Sequence, residues 1–285
     1  MSATTLSPGA TSPTASRTSP YRLGFGHVLK SEWVKFWTLR STVWTLAITI
    51  VVMAAITLMF AAIMSSLVDD PEIAAQSGGL MPGIMIVTFG YSFAQLVVAV
   101  LGALTITGEY STGMIRSTFS AVPTRLPSFA AKSIVLAVVT FVVAALGLLA
   151  SYLVALPFLS GTDLAVDLSA DGTIRSLVGT ALYLAAIAVL SVAFGVLIRN
   201  SAGTIFALVA LLLVVPGILS SIPTEWVRDL AQFLPTAAGE RLILGDAMGM
   251  GTEALLSPWQ GFAVMLGWVV VLWAGAAVVL KRRDA

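Results

Sequence analysis

The stretch SIVLAVVTFVVAALGLLASYLVALPFL, residues 133–159, decides the fold class because it contains no Asp, Glu, Lys, Arg or His. A helix needs about 20 apolar residues to cross the roughly 30 Å hydrocarbon layer of a bilayer. A soluble helix of this length would show a polar face. Five further stretches are equally free of charge, so the sequence predicts six membrane-spanning helices, at 43–64, 84–107, 133–159, 176–198, 202–222 and 259–280.

The composition supports an all-α integral membrane protein that crosses the cell membrane several times. Of the 285 residues, 58% are hydrophobic and 10% are charged, whereas a soluble domain carries about 25% charged residues. The mean hydropathy is +0.98. The net charge of +1 gives no basic face for a nucleic acid, and the absence of cysteine excludes disulfides. We therefore expect the lipid bilayer, and no nucleic acid, as a partner.

The basic residues predict the orientation of the six spans. With the N-terminus inside, twelve of the fifteen basic residues fall on the cytoplasmic side, and only Arg175, Arg228 and Arg241 fall outside. Acidic residues show the reverse distribution, with Glu32, Glu109 and Asp284 as those inside. Because short cytoplasmic segments carry an excess of Lys and Arg, both termini are predicted to be cytoplasmic.

The segments between the spans divide the chain further. Residues 1–22, rich in Ser, Thr, Pro, Ala and Gly, are predicted to be a disordered cytoplasmic tail before a single six-span domain at 23–285. Within 25–41, the side chains of Leu29, Trp33, Phe36 and Trp37 share a face, which predicts an amphipathic helix in the cytoplasmic interface; a cytoplasmic extension of the first span is the alternative. The external segment 223–258 predicts two short helices dipping toward the membrane, with a surface hairpin as the alternative.

Several kinds of chemistry are missing from the sequence. The spans hold no ionisable groups, which disfavours an ion-coupled transporter, and no His and carboxylate ligands for a metal at bilayer depth. No G-x-x-x-x-G-K-[ST] phosphate loop occurs, so the chain is not an ATPase of that class. Polar residues Thr88, Ser92 and Gln95 do share a face of the second span. They can line a polar path or hydrogen-bond neighbouring helices.

Three further stretches carry a resemblance to a known family. GEYSTGMIRSTFSAVPTR at 108–125, LKSEWVKFWTLRS at 29–41 and FLPTAAGERL at 233–242 resemble the permease subunits of ABC type-2 exporters. In that family, the loop between the second and third spans docks into a separate ATPase subunit, an interfacial helix opens the fold, and an external segment re-enters the membrane. Six spans with inside termini also match. The resemblance implies that 108–132 is the cytoplasmic coupling loop and 223–258 the external re-entrant segment.

The family implies the partners and the site residues of this chain. It would act as a permease without catalytic residues, beside an ABC ATPase subunit that binds ATP and Mg²⁺ and a second permease copy or a homologous permease. The chain itself would bind no cofactor or metal. The expected coupling residues are Glu109, Tyr110, Thr112, Gly113, Ile115 and Arg116. The second and fifth spans line the path in the family, which implies Thr88, Tyr91, Gln95 and Thr204 as pathway residues.

The function expected from the resemblance is ATP-dependent export of an amphipathic substrate, such as a drug, an antibiotic, a peptide or a lipid. An uncharged path suits apolar cargo better than ions. Two alternatives come from other classes of protein. A membrane scaffold or sensor subunit would move nothing, and a passive channel would conduct without nucleotide.

Overall fold

The computed structural model describes residues 24–68, 81–121, 124–162, 164–245 and 255–282, which excludes the predicted tail at 1–22. This described part is helical and has no strands. Its helices, numbered in chain order, are α1 (Phe25–Thr38), α2 (Arg40–Val68), α3 (Gly83–Thr88), α4 (Tyr91–Ser111), α5 (Met114–Ala121), α6 (Leu126–Leu159), α7 (Thr173–Ile198), α8 (Ser201–Val209), α9 (Val215–Ser220), α10 (Glu225–Ala231), α11 (Pro235–Leu244) and α12 (Pro258–Arg282). A π-helical turn at Ala210–Val214 joins α8 to α9.

Six helices in the described part are long and apolar enough to cross a membrane, as the sequence predicted. They are α2, α3 with α4, α6, α7, α8 through α9, and α12. Five of them extend beyond the uncharged stretches and include charged residues. Among these, the second span continues to Ser111, and the third begins at Leu126. Glu109 and Lys132 therefore lie inside helices. A charge at a helix end does not stop the helix when a partner of opposite sign is near.

Helix α7 lies at the centre of the bundle and packs against α4, α6, α11 and α12. Its contact with α4 depends on small residues. A Cβ atom on Gly102 of α4 would lie 2.7 Å from the Ala188 carbonyl oxygen, and one on Gly195 of α7 would lie 3.4 Å from the Ala103 carbonyl oxygen. Close helix approach at small residues is typical of membrane proteins.

The second span is interrupted between α3 and α4, at Phe89 and Gly90. A Cβ atom at Gly90 would lie 2.7 Å from the Met53 carbonyl oxygen, so the interruption lets α2 approach the backbone closely. The Thr57 hydroxyl of α2 compensates for lost helical hydrogen bonds. It lies 3.2 Å from the Val87 carbonyl oxygen and 3.4 Å from that of Ile86. Backbone groups at this depth need an internal partner because lipid offers none.

Helix α1 turns two faces to different surroundings. Val28, Glu32 and Phe36 are buried, and α1 packs mainly against α6. Trp33 and Trp37, which the sequence placed on one face with Phe36, are exposed, and their rings meet edge to face at 5.8 Å. The predicted apolar face is thus divided, because α6 covers one side of it.

Two short helices occupy the segment after α9, which confirms that element of the prediction. Pro235 starts α11, where its missing N–H costs no helical hydrogen bond. Two glycines allow α11 to pack closely against its neighbours. A Cβ at Gly239 would lie 2.5 Å from Tyr183 Cδ2, and one at Gly261 of α12 would lie 2.4 Å from the Ala238 carbonyl oxygen. Helix α11 is therefore held tightly against α7 and α12.

The close contact of α4 with α7 gives a testable prediction. Gly102→Ala should lower stability by about 1–3 kcal/mol, since the new methyl group meets backbone that cannot move aside cheaply. Gly275→Ala on α12 is the matched control, because a Cβ there meets no atom within 4 Å. Thermal unfolding of the two purified variants in the same detergent measures the difference. Equal midpoints would contradict the close packing.

Candidate functional site

Four charged side chains, three of them buried and one partly exposed, form a cluster at the end of the bundle that carries α1, here called the α1 end. Lys132 of α6 lies at its centre, with Nζ 2.7 Å from Glu32 Oε2 of α1 and 2.8 Å from Glu109 Oε1 of α4. Lys35 Nζ lies 2.8 Å from Glu32 Oε1 and 3.6 Å from Glu109 Oε1. The two acids and two bases balance in charge and tie three helices together.

The cluster also reaches α5. Lys35 Nζ donates a hydrogen bond to the Thr118 hydroxyl of α5 at 3.2 Å. On the other side, the Ser128 hydroxyl of α6 lies 3.4 Å from Glu32 Oε1. One network of charges and hydroxyl groups thus joins the first helix, the end of the second span, α5 and the start of the third span.

Burial makes these charges depend on one another. Glu32 and Lys132 are 4% and 5% exposed, and Glu109 is 8% exposed. Burial alone would raise the pKa of Glu32, but the charges and hydrogen bonds of Lys132 and Lys35 outweigh it and hold that pKa below its usual value. The Glu32 carboxylate therefore stays ionised at neutral pH. The stability that it contributes is lost as the pH falls through its lowered pKa.

A cavity of about 380 Å³ adjoins the cluster. Its wall is partly apolar and includes Phe36, Leu39, Leu104 and Val135, and the four charged residues of the cluster also line it. The second carboxylate oxygen of Glu109, Oε2, is buried without a hydrogen-bond partner. The cluster is consequently tight on its lysine side and less completely satisfied at Glu109.

The six predicted coupling residues lie close together along the chain, but in different surroundings. Glu109 belongs to the cluster. Tyr110 is half-buried, its ring is 5.2 Å from the Arg199 guanidinium, and its hydroxyl is buried without a hydrogen bond. Thr112 is exposed and donates to the Gly108 carbonyl at 2.8 Å. Gly113 has φ 73°, a conformation that glycine adopts freely, and it turns the chain into α5.

Ile115 and Arg116 complete the predicted set on α5. Ile115 is 4% exposed and packs with the main hydrophobic core, whereas Arg116 is exposed. Helix α5 thus has one side against the bundle and a cationic side chain free to meet another molecule. Helix α5 begins at Met114, because Ser111 still belongs to α4 and Gly113 makes the turn.

The four predicted pathway residues are buried inside the described helix packing. Thr88 and Thr204 donate their hydroxyls to carbonyls of their own helical segments, at Ile84 and Asn200. Gln95 accepts a hydrogen bond of 2.5 Å from the Tyr183 hydroxyl. The Tyr91 ring meets the Tyr183 ring edge to face at 5.6 Å. Their part in a transport path stays a prediction.

Sequence reasoning missed the partners of Glu109 and Lys132, and also those of Tyr91 and Gln95. It placed Glu109 and Lys132 at the borders of one loop but did not pair them with Glu32 and Lys35 of α1. Their common predicted side of the membrane and the i, i+3 spacing of Glu32 and Lys35 were the available signals. Tyr183, which contacts Tyr91 and Gln95, had no such signal. It comes from a segment far away along the chain.

Comparison with models of protein families and with curated proteins found no match to this chain. Among the described residues, no group of three or more His, Cys, Asp or Glu side chains could hold a metal ion.

Removal of the central lysine tests the cluster. Lys132→Met should destabilise the protein by about 3–5 kcal/mol, because it leaves two buried carboxylates with one partly exposed lysine. Lys30→Met, on the exposed side of α1, is the control. Thermal unfolding measures stability. Thiol labelling of a Val28→Cys variant, in a chain without other cysteines, measures release of α1. Unchanged values for both would contradict a structural role for the cluster.

Proposed function

We propose that this chain is the transmembrane permease subunit of an ATP-binding cassette exporter. The observation that carries the proposal is the buried cluster of Glu32, Lys35, Glu109 and Lys132, because it joins the spans to the loop helix α5. A push on α5 would pass through Lys35 and Thr118 to the cluster, and from there to α4 and α6. The sequence resemblance implies an ATPase contact in the same loop, which supports the proposal.

In the proposed orientation, the α1 end is cytoplasmic. Four basic residues then face the cytoplasm: Arg116 on α5, Lys30 on α1, and Lys281 and Arg282 at the end of α12. This agrees with the excess of Lys and Arg in cytoplasmic segments. Helix α1 would lie along the membrane surface with Trp33 and Trp37 at headgroup depth, where tryptophan is enriched. The exposed Arg116 of α5 would face the ATPase.

A complete transporter would contain two permeases and two ATPase subunits. The second permease is a copy of this chain or a homologue, and the ATPase subunits bind ATP and Mg²⁺. ATP-driven closure of the ATPase pair would move the two α5 helices and switch the path from inward to outward access. The cargo is an amphipathic molecule, because the spans offer neutral polar groups and no ionised ones away from their ends.

Purification of the tagged chain from its native membrane tests the energy source. We expect a stoichiometric ABC ATPase to co-purify in mild detergent, with ATP hydrolysis that the presence of the permease stimulates. Recovery of the chain alone, under conditions that preserve such complexes, would contradict the proposal. It would favour a scaffold, or a channel if the chain conducts without nucleotide.

Two alanine variants test the coupling residues in that complex. Arg116→Ala removes an exposed charge from α5, and Glu109→Ala removes a member of the cluster. Each should lower permease-stimulated ATP hydrolysis roughly tenfold, as expected when one partner of an interfacial or buried charge pair is lost. Arg228→Ala, exposed on α10 at the opposite end, is the control and should retain full stimulation. Normal stimulation in both test variants would contradict coupling through this loop.

A further inference from the structure

The cavity beside the cluster lies between the start of α2 and the end of α4. Deeper in the bundle these two helices are in close contact, since a Cβ at Gly90 would meet the Met53 backbone. At the α1 end, the chain is extended at Leu39 between α1 and α2, and a space remains beside α4. Gly108 of α4 lines this space, and a Cβ there would meet no atom within 4 Å. The cavity therefore has room for a bound molecule.

The polar end of the cavity has two unused hydrogen-bonding groups. Glu109 is 8% exposed, and its Oε2 atom is buried without a partner among the described residues, whereas Oε1 accepts from Lys132. A lysine carries three N–H donors, and Lys132 contacts only Glu32 Oε2 and Glu109 Oε1 within the described helices. The Glu109 carboxylate turns readily about its last bond, which brings Oε2 toward the cavity. A group that both donates and accepts a hydrogen bond would satisfy both residues.

The balance of charge in the cluster limits what can bind at this end. Its two acids and two bases already neutralise one another, and three of the four side chains are buried. A cationic or anionic ligand would add an unbalanced charge at a buried place, which is costly. A hydroxyl group donates one hydrogen bond, accepts others and adds no charge. The polar end therefore suits an alcohol better than an amine or an acid.

The rest of the cavity wall suits an alkyl chain. Phe36 of α1 and Val135 of α6 form part of its apolar lining. Leu39 and Leu104 also line it and are 53% and 45% exposed, so they mark its mouth. Leu104 belongs to the second span, and the mouth therefore adjoins the hydrocarbon layer near its edge. The volume of about 380 Å³ lies in the range of about 300–1,000 Å³ that is usual for small-molecule sites.

We propose that this cavity binds an uncharged amphipathic alcohol with a single alkyl chain. Its hydroxyl group lies between Glu109 Oε2 and Lys132 Nζ, and its chain follows the apolar wall toward the bilayer. The bound alcohol completes the hydrogen bonding of the cluster that reaches α5 through Lys35 and Thr118. That such an alcohol is also the cargo rests on the exporter hypothesis, whereas its binding to this chain does not.

Photo-crosslinking of the full chain in nanodiscs tests the class of ligand. The probe is dodecanol with a diazirine in its chain, and the comparison probes are dodecylamine and dodecane that carry the same group. Labelling of Phe206, an exposed residue of the fifth span, corrects for the amount of each probe in the bilayer. The alcohol should label Leu104 and Val135 about tenfold more than either comparison probe does, as expected for a hydrogen bond to a charged group. Equal labelling by dodecane, or stronger labelling by dodecylamine, would overturn the proposal.

A larger side chain at Gly108 tests the place of binding. Gly108→Phe should lower the corrected labelling of Leu104 and Val135 by dodecanol about tenfold or more, because the ring fills the space that the alkyl chain needs. Gly275→Phe on α12 is the matched control, since a Cβ there also meets no atom within 4 Å, and it should keep full labelling. Thermal unfolding shows whether both variants are folded. Full labelling of a folded Gly108→Phe variant would contradict binding in this cavity.

Protection of a single cysteine gives a second readout that leaves the cavity unfilled. The chain contains no cysteine, so Thr105→Cys in the cavity wall and Leu230→Cys on α10 can be labelled separately. Dodecanol should slow maleimide labelling of Thr105→Cys several-fold more than dodecane does, and neither should protect Leu230→Cys. Equal protection by the two compounds, or none, would overturn the proposal. Because these measurements need no ATPase, their outcome is independent of the co-purification that tests the exporter hypothesis.

Discussion

The cost of burying an unpaired charge governs the arrangement of helices at the α1 end. Lys132 lies inside the third span, so its ammonium group must meet carboxylates that other helices bring to it. Glu32 and Glu109 meet that requirement only when α1 and the end of α4 reach the same point on α6. The position of α1 on the bundle and the contact of α5 through Lys35 both depend on this arrangement.

Helix α4 connects two polar regions of the bundle. Its first residue, Tyr91, meets the Tyr183 ring, and Glu109 lies near its other end, about 27 Å away along the helix axis at 1.5 Å per residue. At Glu109, fixed lysines balance the acid. A displacement of α4 along its axis would change the contacts in both regions. The close contact of α4 with α7 at Gly102 and Gly195 allows little change in the distance between these helices.

The spans were predictable because a long uncharged run such as 133–159 is stable in lipid as a membrane-spanning helix. The six helices follow these runs closely. Pairing across helices was not predictable, because it depends on rotation about each helix axis. Glu109 was singled out by its place in a loop, and its partners Lys132 and Glu32 emerged only from the packing. The contact of Tyr183 with Tyr91 and Gln95 likewise emerged only from the packing.

The hydroxyl of Thr57 has a consequence for how the second span enters the membrane. The carbonyls at Ile86 and Val87 lie just before the interruption at Gly90, and the hydroxyl near them belongs to the preceding span. Synthesis proceeds from the N-terminus, so α2 is already made when α3 and α4 emerge. The irregular segment can then insert beside α2, whose Thr57 hydroxyl is already present as a hydrogen-bond donor. Chain order thereby protects a polar backbone from lipid at the stage when the rest of the bundle has not yet formed.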